Sequence, residues 1–171
     1  MQKYIKKIAF YIVALGLVFN LSCINGEETE ERTFDDELAE LDSMLNKLTE
    51  AGYDIDTTSI GVYYIVKEEG EGPFPQPGDT CFIDYLGYFA DGTLFDRSED
   101  YHTNGIWKFL YGEPDMIPGL KSGIGRMNEG AEIEMFILSN LAYGESGTRN
   151  IPPFTTLIYL SKMHELNPVD D

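Results

Sequence analysis

The sequence predicts an α+β domain in which several antiparallel strands surround one short helix, with an amphipathic helix preceding them. Three observations carry this reading. Phe34, Leu38, Leu41, Leu45 and Leu48 recur at alternating intervals of four and three, which places one apolar stripe along a helix. From Val62 onward, β-branched and aromatic runs are separated by Gly- and Pro-rich turns, the pattern of strands. Residues 117–127 are the one helical candidate among those strands, opened by Pro118 as a first-turn residue.

The elements follow in order. Thr33 is a candidate N-cap, Asp35, Asp36 and Glu37 suit the positive end of a helix, and Gly52 suits its stop. The stripe covers only two heptads, fewer than a free coiled coil needs, so it either docks on the domain behind it or pairs with a copy of itself. Docking is the expectation. Strands are predicted at residues 62–67, 80–89, 93–96, 106–111, 131–138 and 155–164. Residues 68–78, with Pro73, Pro75 and Pro77, form an excursion, residues 90–92 a turn and residues 140–153 a long loop. In the second strand Cys81, Ile83 and Tyr85 share one face. No internal repeat is present.

Acids outnumber bases 30 to 12 among 171 residues, a formal charge of −18. Such a chain repels nucleic acid phosphates, and no basic patch interleaved with aromatic residues offsets that repulsion. No nucleic acid partner is expected. The N-terminus is a basic segment (residues 1–7), an apolar run (residues 8–19) too short to span a hydrocarbon core of about 30 Å, and Leu21-Ser22-Cys23 at its end. This reads as an export signal. The placement of Cys23 resembles a bacterial lipobox, which implies that Cys23 is acylated and becomes the first residue of the mature chain, anchoring it to a membrane. Asn20 stands where that motif usually has an aliphatic residue, and the plain alternative is an ordinary cleaved signal with Cys23 as a thiol. Residues 23–33 then form an acidic, solvated tether. With Cys23 lipidated, Cys81 has no partner and behaves as a small buried hydrophobe.

A search for familiar chemistry is mostly negative. His102 and His164 are far apart and lack Cys or acidic neighbours at metal-ligand spacing, so no metal is expected. Asp54 to Thr58 begins like a calcium loop, but Ser59 replaces the glycine and Ile65 the bidentate glutamate. Gly123-Ile124-Gly125-Arg126-Met127-Asn128 fails as a dinucleotide loop at its last position. Gly144-Glu145-Ser146-Gly147 has its glycines wrongly spaced for a nucleophile elbow. Neither covalent nor metal-assisted catalysis is indicated, and no cofactor is expected.

What remains is a supply of aromatic and aliphatic residues beside one or two acids. Asp84-Tyr85-Leu86-Gly87, Asp91-Gly92-Thr93-Leu94-Phe95-Asp96, Ile117-Pro118-Gly119-Leu120, Ala142-Tyr143-Gly144 and Ile151-Pro152-Pro153 with Thr156-Leu157 occur in that order. Together they resemble the FKBP family of peptidyl-prolyl isomerases, over about residues 62–166. The resemblance implies a twisted antiparallel sheet wrapping a short helix, with the substrate proline held between them. It implies Asp96, Tyr143 and Tyr85 as the catalytic set. It implies Phe95, Trp107, Phe109, Met116, Ile117, Leu120, Ile151 and Tyr159 as substrate-binding residues. Leu120 matches the pocket floor, where many members have tryptophan. The stretch between Asp96 and Trp107 is longer than in small members, and the loop from Gly147 to Ile151 slightly shorter. The arginine that often pairs with the pocket acid has no clear counterpart: Tyr101 lies near its place, and Arg97 is the available substitute.

These readings divide the chain into a lipoprotein signal peptide (1–22), an acidic tether (23–33), an amphipathic helix (34–52), the isomerase domain (53–167) and a tail (168–171). The implied function is peptidyl-prolyl cis–trans isomerisation assisting the folding of exported proteins. The alternative is a non-catalytic module that grips proline-containing segments as a chaperone or assembly factor. Expected partners are proline-containing polypeptides and, through the lipid anchor, a membrane. The expected location is the outer membrane facing the periplasm, or alternatively the cell surface, since the acids at residues 27–31 resemble lipoprotein surface-export signals.

Overall fold

Alternation along the strands decides where the two helices of the domain dock. The computed structural model describes residues 32–169; the signal peptide, most of the tether and the end of the tail lie outside these residues. Helix α1 (Phe34–Glu50) begins with a capping box, in which Thr33 Oγ1 accepts the Asp36 N–H at 3.2 Å and Asp36 Oδ2 accepts the Thr33 N–H at 2.9 Å. That exchange satisfies two of the donors every helix start leaves open. At the other end Gly52 sits at φ +90, where a side chain would be strained.

Strands β1 (Asp56–Thr57), β2 (Tyr63–Glu68), β3 (Thr80–Tyr88), β4 (Leu94–Arg97), β5 (Trp107–Leu110), β6 (Glu132–Ile137) and β7 (Leu157–Asn167) form one antiparallel sheet. Its order is β1-β2-β6-β7-β3-β4, and β5 also pairs with β3. Strand β3 is shared along its length: Thr80 to Ile83 face β5, and Leu86 to Tyr88 face β4. On its other edge β3 pairs with β7 from Tyr88↔Ile158 to Thr80↔Asn167. This pairing carries β7 past the expected end at His164, because the whole edge of β3 needs a partner for its backbone groups.

Helix α2 (Pro118–Ile124) lies on one face of the sheet, over Ile133, Met135 and Ile137 of β6. It stops at Ile124, short of the expected 127, with Gly125 as its C-cap and Met127 turned into the core. The approach is close. A Cβ on Gly119 would lie 2.2 Å from Ile137 Cγ2, and one on Gly123 2.1 Å from Met135 Sδ. Helix α1 covers the opposite face, packing its stripe on Ile65, Phe136, Leu138 and Ile158. β6 is therefore buried on both sides, and the two hydrophobic clusters are separated by the sheet.

One acid of the first turn of α1 is not where the sequence suggests. Asp36 caps the helix in solvent, but Glu37 is fully buried and bonded to Ser139 and Thr156. The reason is periodicity: Glu37 lies on the same side of the helix as Leu41, the most buried residue of the stripe.

Candidate functional site

The alternation of β3 turns Cys81, Ile83 and Tyr85 toward α2 and leaves the residues between them half-exposed. Cys81 is buried as a free thiol, with its pKa pushed up to about 11 by burial and then by Asp79. It is inert packing. Tyr85 stands at the mouth of the core and meets two rings edge-on, Trp107 at 5.8 Å and Tyr159 at 5.7 Å between centroids. Ser98, in a 3-10 turn after β4, holds this part of β3 by accepting the Tyr85 N–H at 3.1 Å.

These rings wall a cavity of about 150 Å³ lined by Tyr85, Asp96, Trp107, Asp115, Met116, Ile117, Leu120, Tyr143 and Tyr159. The start of α2 supplies Ile117 and, from the inside, Leu120 as the floor. The loop after the 3-10 turn Ser139–Leu141 supplies Tyr143, a residue that is 38% exposed. Wider depressions of about 720 and 700 Å³, the second adjoining the cavity at Tyr85, are lined mainly by glycines and by polar or charged side chains. A pocket for a specific apolar group needs convergent apolar walls, so the small aromatic cavity is the better candidate.

Of the expected site residues, Tyr85, Asp96, Tyr143, Trp107, Met116, Ile117, Leu120 and Tyr159 are brought together on this wall. Phe95, Phe109 and Ile151 stand behind it. Phe95 contacts Tyr159 edge-on at 5.7 Å and stacks on Phe89 at 4.7 Å, while Phe109 backs Trp107 at 4.4 Å. Ile151 is buried in the same core. Their contribution to the wall is to fix the rings that form it. Sequence reasoning missed Asp115, which lines the mouth, and His102, stacked on Trp107 at 5.9 Å with an interplanar angle of 14°. No periodicity marks either one, since both sit in loops.

Asp96 is the polar feature of the cavity. Its Oδ1 is buried without a hydrogen-bond partner. Burial raises its pKa above the ordinary carboxyl value, opposed by the Arg97 backbone N–H and the neighbouring Tyr85 hydroxyl. Arg97 does not neutralise it: the guanidinium Nε donates to Asp100 Oδ1 at 2.9 Å on the outer side of the strand. Among the described residues no ion pair involves Asp96. Burial, and next the charge of Asp96, also raise the pKa values of Tyr85, Tyr143 and Tyr159, so all three hydroxyls remain protonated donors at neutral pH. Among the described residues no group of three or more His, Cys, Asp or Glu is placed to hold a metal ion.

Residues 72–163 match the family model described as FKBP-type peptidyl-prolyl cis-trans isomerase. The chain belongs to this family. Relatives include FKBP-type peptidyl-prolyl cis-trans isomerase FkpA of Escherichia coli strain K12, 32% identical over 120 residues that cover 67% of this chain and 41% of the relative. Another is FK506-binding protein 3 of Dictyostelium discoideum, 40% identical over 94 residues, covering 54% of this chain and 48% of that protein. Among solved structures, the crystal structure of FkpA from Escherichia coli superposes with a TM-score of 0.67 at 30% identity, covering 80% of this chain and 61% of that one. A peptidyl-prolyl cis-trans isomerase from Pseudomonas syringae shares the fold, with a TM-score of 0.65 at 24% identity over 81% of this chain and 98% of that one. The chain spans about two fifths of the length of the FkpA relatives it matches. The FKBP-type domain is thus the part held in common.

Proposed function

We propose that this protein accelerates the cis–trans isomerisation of Xaa-Pro bonds in polypeptides by taking the prolyl amide out of water. The observation that supports this most directly is a cavity of about 150 Å³, sized for one small ring and walled by Tyr85, Trp107, Leu120 and Tyr159. Amide resonance imposes a rotation barrier of about 18–20 kcal/mol. The planar amide is polar and well hydrated, while the twisted amide has lost resonance and much of its charge separation. An apolar wall therefore disfavours the planar state relative to the twisted one. Donors that engage the carbonyls beside the proline only in the twisted geometry add differential binding. The Tyr143 hydroxyl and the Ile117 N–H, from two residues that line the cavity, are the donors for this. Asp96 acts through its field at the twisting bond or by orienting Tyr85. A barrier lowered by roughly 7 kcal/mol gives about 10⁵-fold acceleration. Phe95, Phe109 and Ile151 serve this site by holding its walls.

The residues before Arg32 bear on where this happens. The basic and apolar start of the chain supports an export signal through residue 22, and Cys23 supports a lipid anchor on an acidic tether. The protein is then an envelope lipoprotein acting on exported chains at the periplasmic face of the outer membrane or at the cell surface. In this reading α1 belongs to the isomerase domain and is not an oligomer seam. Fatty-acid labelling of the wild type and of Cys23→Ala tests the anchor. A free Cys23 thiol in soluble, unlabelled protein refutes it and leaves the enzyme reading intact.

A protease-free isomerase assay on an Xaa-Pro peptide with apolar Xaa tests the activity. Acceleration proportional to protein concentration is the expected result. A folded sample that binds the peptide, read by the fluorescence of the single tryptophan Trp107, without changing the rate would make this a binding module.

A further inference from the structure

The loop that carries Tyr143 is held from outside the cavity. Ser139 is its pivot: the Ser139 carbonyl accepts the N–H of Ala142 at 2.9 Å and of Gly144 at 2.8 Å, the two amides on either side of Tyr143. Ser139 opens a single 3-10 turn, and its own N–H is one of the donors that such a turn leaves unsatisfied. That N–H donates to Glu37 Oε1 at 2.7 Å, and the Ser139 hydroxyl donates to Glu37 Oε2. The Thr156 hydroxyl, at the far end of the same β6–β7 connection, donates to Glu37 Oε1 at 3.0 Å. One side chain of α1 thus clamps both ends of the β6–β7 connection that carries Tyr143. Arg32 adds a second strap, its Nε donating to the Phe154 carbonyl at 2.8 Å.

Three features separate this from ordinary packing. Glu37 is fully buried, yet both its oxygens are satisfied by donors at the two ends of that connection, 102 and 119 residues away. A buried acid is tolerated only with such a complete set of donors. It lines no part of the cavity, so it touches no substrate. And a one-turn 3-10 segment has little stability of its own, so the place of Tyr143 depends on what holds Ser139.

We infer that Glu37 is a positioning residue: it clamps Ser139 and Thr156, and through Ser139 it fixes the Tyr143 hydroxyl over the cavity. The inference rests on the isomerase reading for its kinetic consequence but not for its structural one. Displacing a catalytic group by an ångström is enough to cost up to about 100-fold.

The test uses the full chain and three variants, Glu37→Ala, Glu37→Gln and, as a control, Leu41→Ala, which weakens the same helix without removing a hydrogen bond to Ser139 or Thr156. Glu37→Ala is expected to lower kcat about tenfold, with KM changed less than twofold, at temperatures where the sample is folded. Glu37→Gln is expected to recover most of that loss, because its carbonyl still accepts from Ser139 N–H and Thr156 while its NH₂ donates to the Ser139 hydroxyl oxygen. Leu41→Ala is expected to lower Tm but keep kcat. Equal kcat in Glu37→Ala and Leu41→Ala overturns the inference. Hydrogen exchange at the Ala142 and Gly144 amides separates this from failure of the isomerase reading. These amides should exchange about tenfold faster in Glu37→Ala than in Leu41→Ala whether or not the protein catalyses anything. Equal exchange overturns the clamp. Where Glu37→Ala does not fold, Ser139→Ala, which removes one of the three bonds, makes the same comparison with a smaller expected loss of about threefold.

Discussion

Asp96 and Arg97 are neighbours on one strand, yet their side chains point in opposite directions. Asp96 enters the cavity with Oδ1 unpartnered, and Arg97 turns outward to Asp100. Strand alternation imposes this, and the consequence is an acid held in the cavity without a cation. Burial raises its pKa above the ordinary carboxyl value of about 4. A group raised in the folded state contributes stability that is fully present below the unfolded pKa and is lost as pH rises through the folded one. At pH values above the unfolded pKa this upward shift therefore costs stability. Asp96→Asn should raise Tm by a few degrees at about pH 7, and the gap should close as pH falls below about 4. Thermal unfolding across that range checks it, and a lower Tm for Asp96→Asn near neutrality contradicts it. Activity should fall in the same variant, a trade of function for stability.

Tyr143 is 38% exposed and its hydroxyl has no hydrogen-bond partner among the described residues. Tyr143→Phe should therefore change stability by no more than about 0.5 kcal/mol. If the hydroxyl donates to substrate mainly in the twisted state, kcat/KM should fall about tenfold, mostly through kcat, roughly the loss of one hydrogen bond. Burial and the charge of Asp96 keep that hydroxyl protonated above its ordinary range. The wild-type pH profile should consequently stay flat to at least about pH 9, one unit below an ordinary phenol. A decline in kcat/KM between neutrality and that point, absent in Tyr143→Phe, would show that the hydroxyl loses its proton early.

Much of this site is written in local sequence, and the rest is not for identifiable reasons. Cys81, Ile83 and Tyr85 alternate because one face of β3 is buried, and the leucine stripe of α1 repeats because one face of the helix is. Both patterns are visible without a structure. The pocket residues emerge from the order of short motifs, but that order does not separate the wall from its backing. Phe95 and Phe109 read the same as Trp107 and Tyr159, since a buried ring has one composition whether it faces a cavity or another ring. Glu37 was illegible for a different reason. An acid in the first helical turn ordinarily belongs to the solvated, dipole-favoured end, and the donors that draw it inward are more than a hundred residues away.

Gly119 lets α2 approach the sheet so that Leu120 can floor the cavity. A Cβ at this position would stand 2.2 Å from Ile137 Cγ2 and 3.2 Å from the Leu141 carbonyl oxygen. Gly119→Ala should gain up to about 1 kcal/mol of helix propensity and lose about 1–3 kcal/mol to overpacking. The net effect expected in urea unfolding is destabilisation. Because Ile137 and Leu141 must yield toward the Tyr143 loop, KM should rise as well. An Ala variant as stable as the wild type would mean that α2 can lift without cost.

The last prediction concerns how α1 contributes to the fold. Leu41 is 1% exposed and packs with Ile65, Phe136 and Leu138 on the sheet face opposite the cavity. Truncating such a side chain removes its transfer energy and leaves a void that the sheet, fixed on its other face by α2, cannot easily close. Leu41→Ala should therefore cost about 2–5 kcal/mol, toward the upper part of that range. The same stripe could in principle serve a second copy of the chain, and the two roles separate cleanly in solution. Docking within the chain predicts a sedimentation coefficient and a Tm independent of protein concentration, because intramolecular packing has no mass-action term. A seam between copies predicts that both rise with concentration and that Leu41→Asp yields a folded monomer. With Leu41 inside the domain, Leu41→Asp instead buries an unpaired charge against Phe136 and should unfold the protein.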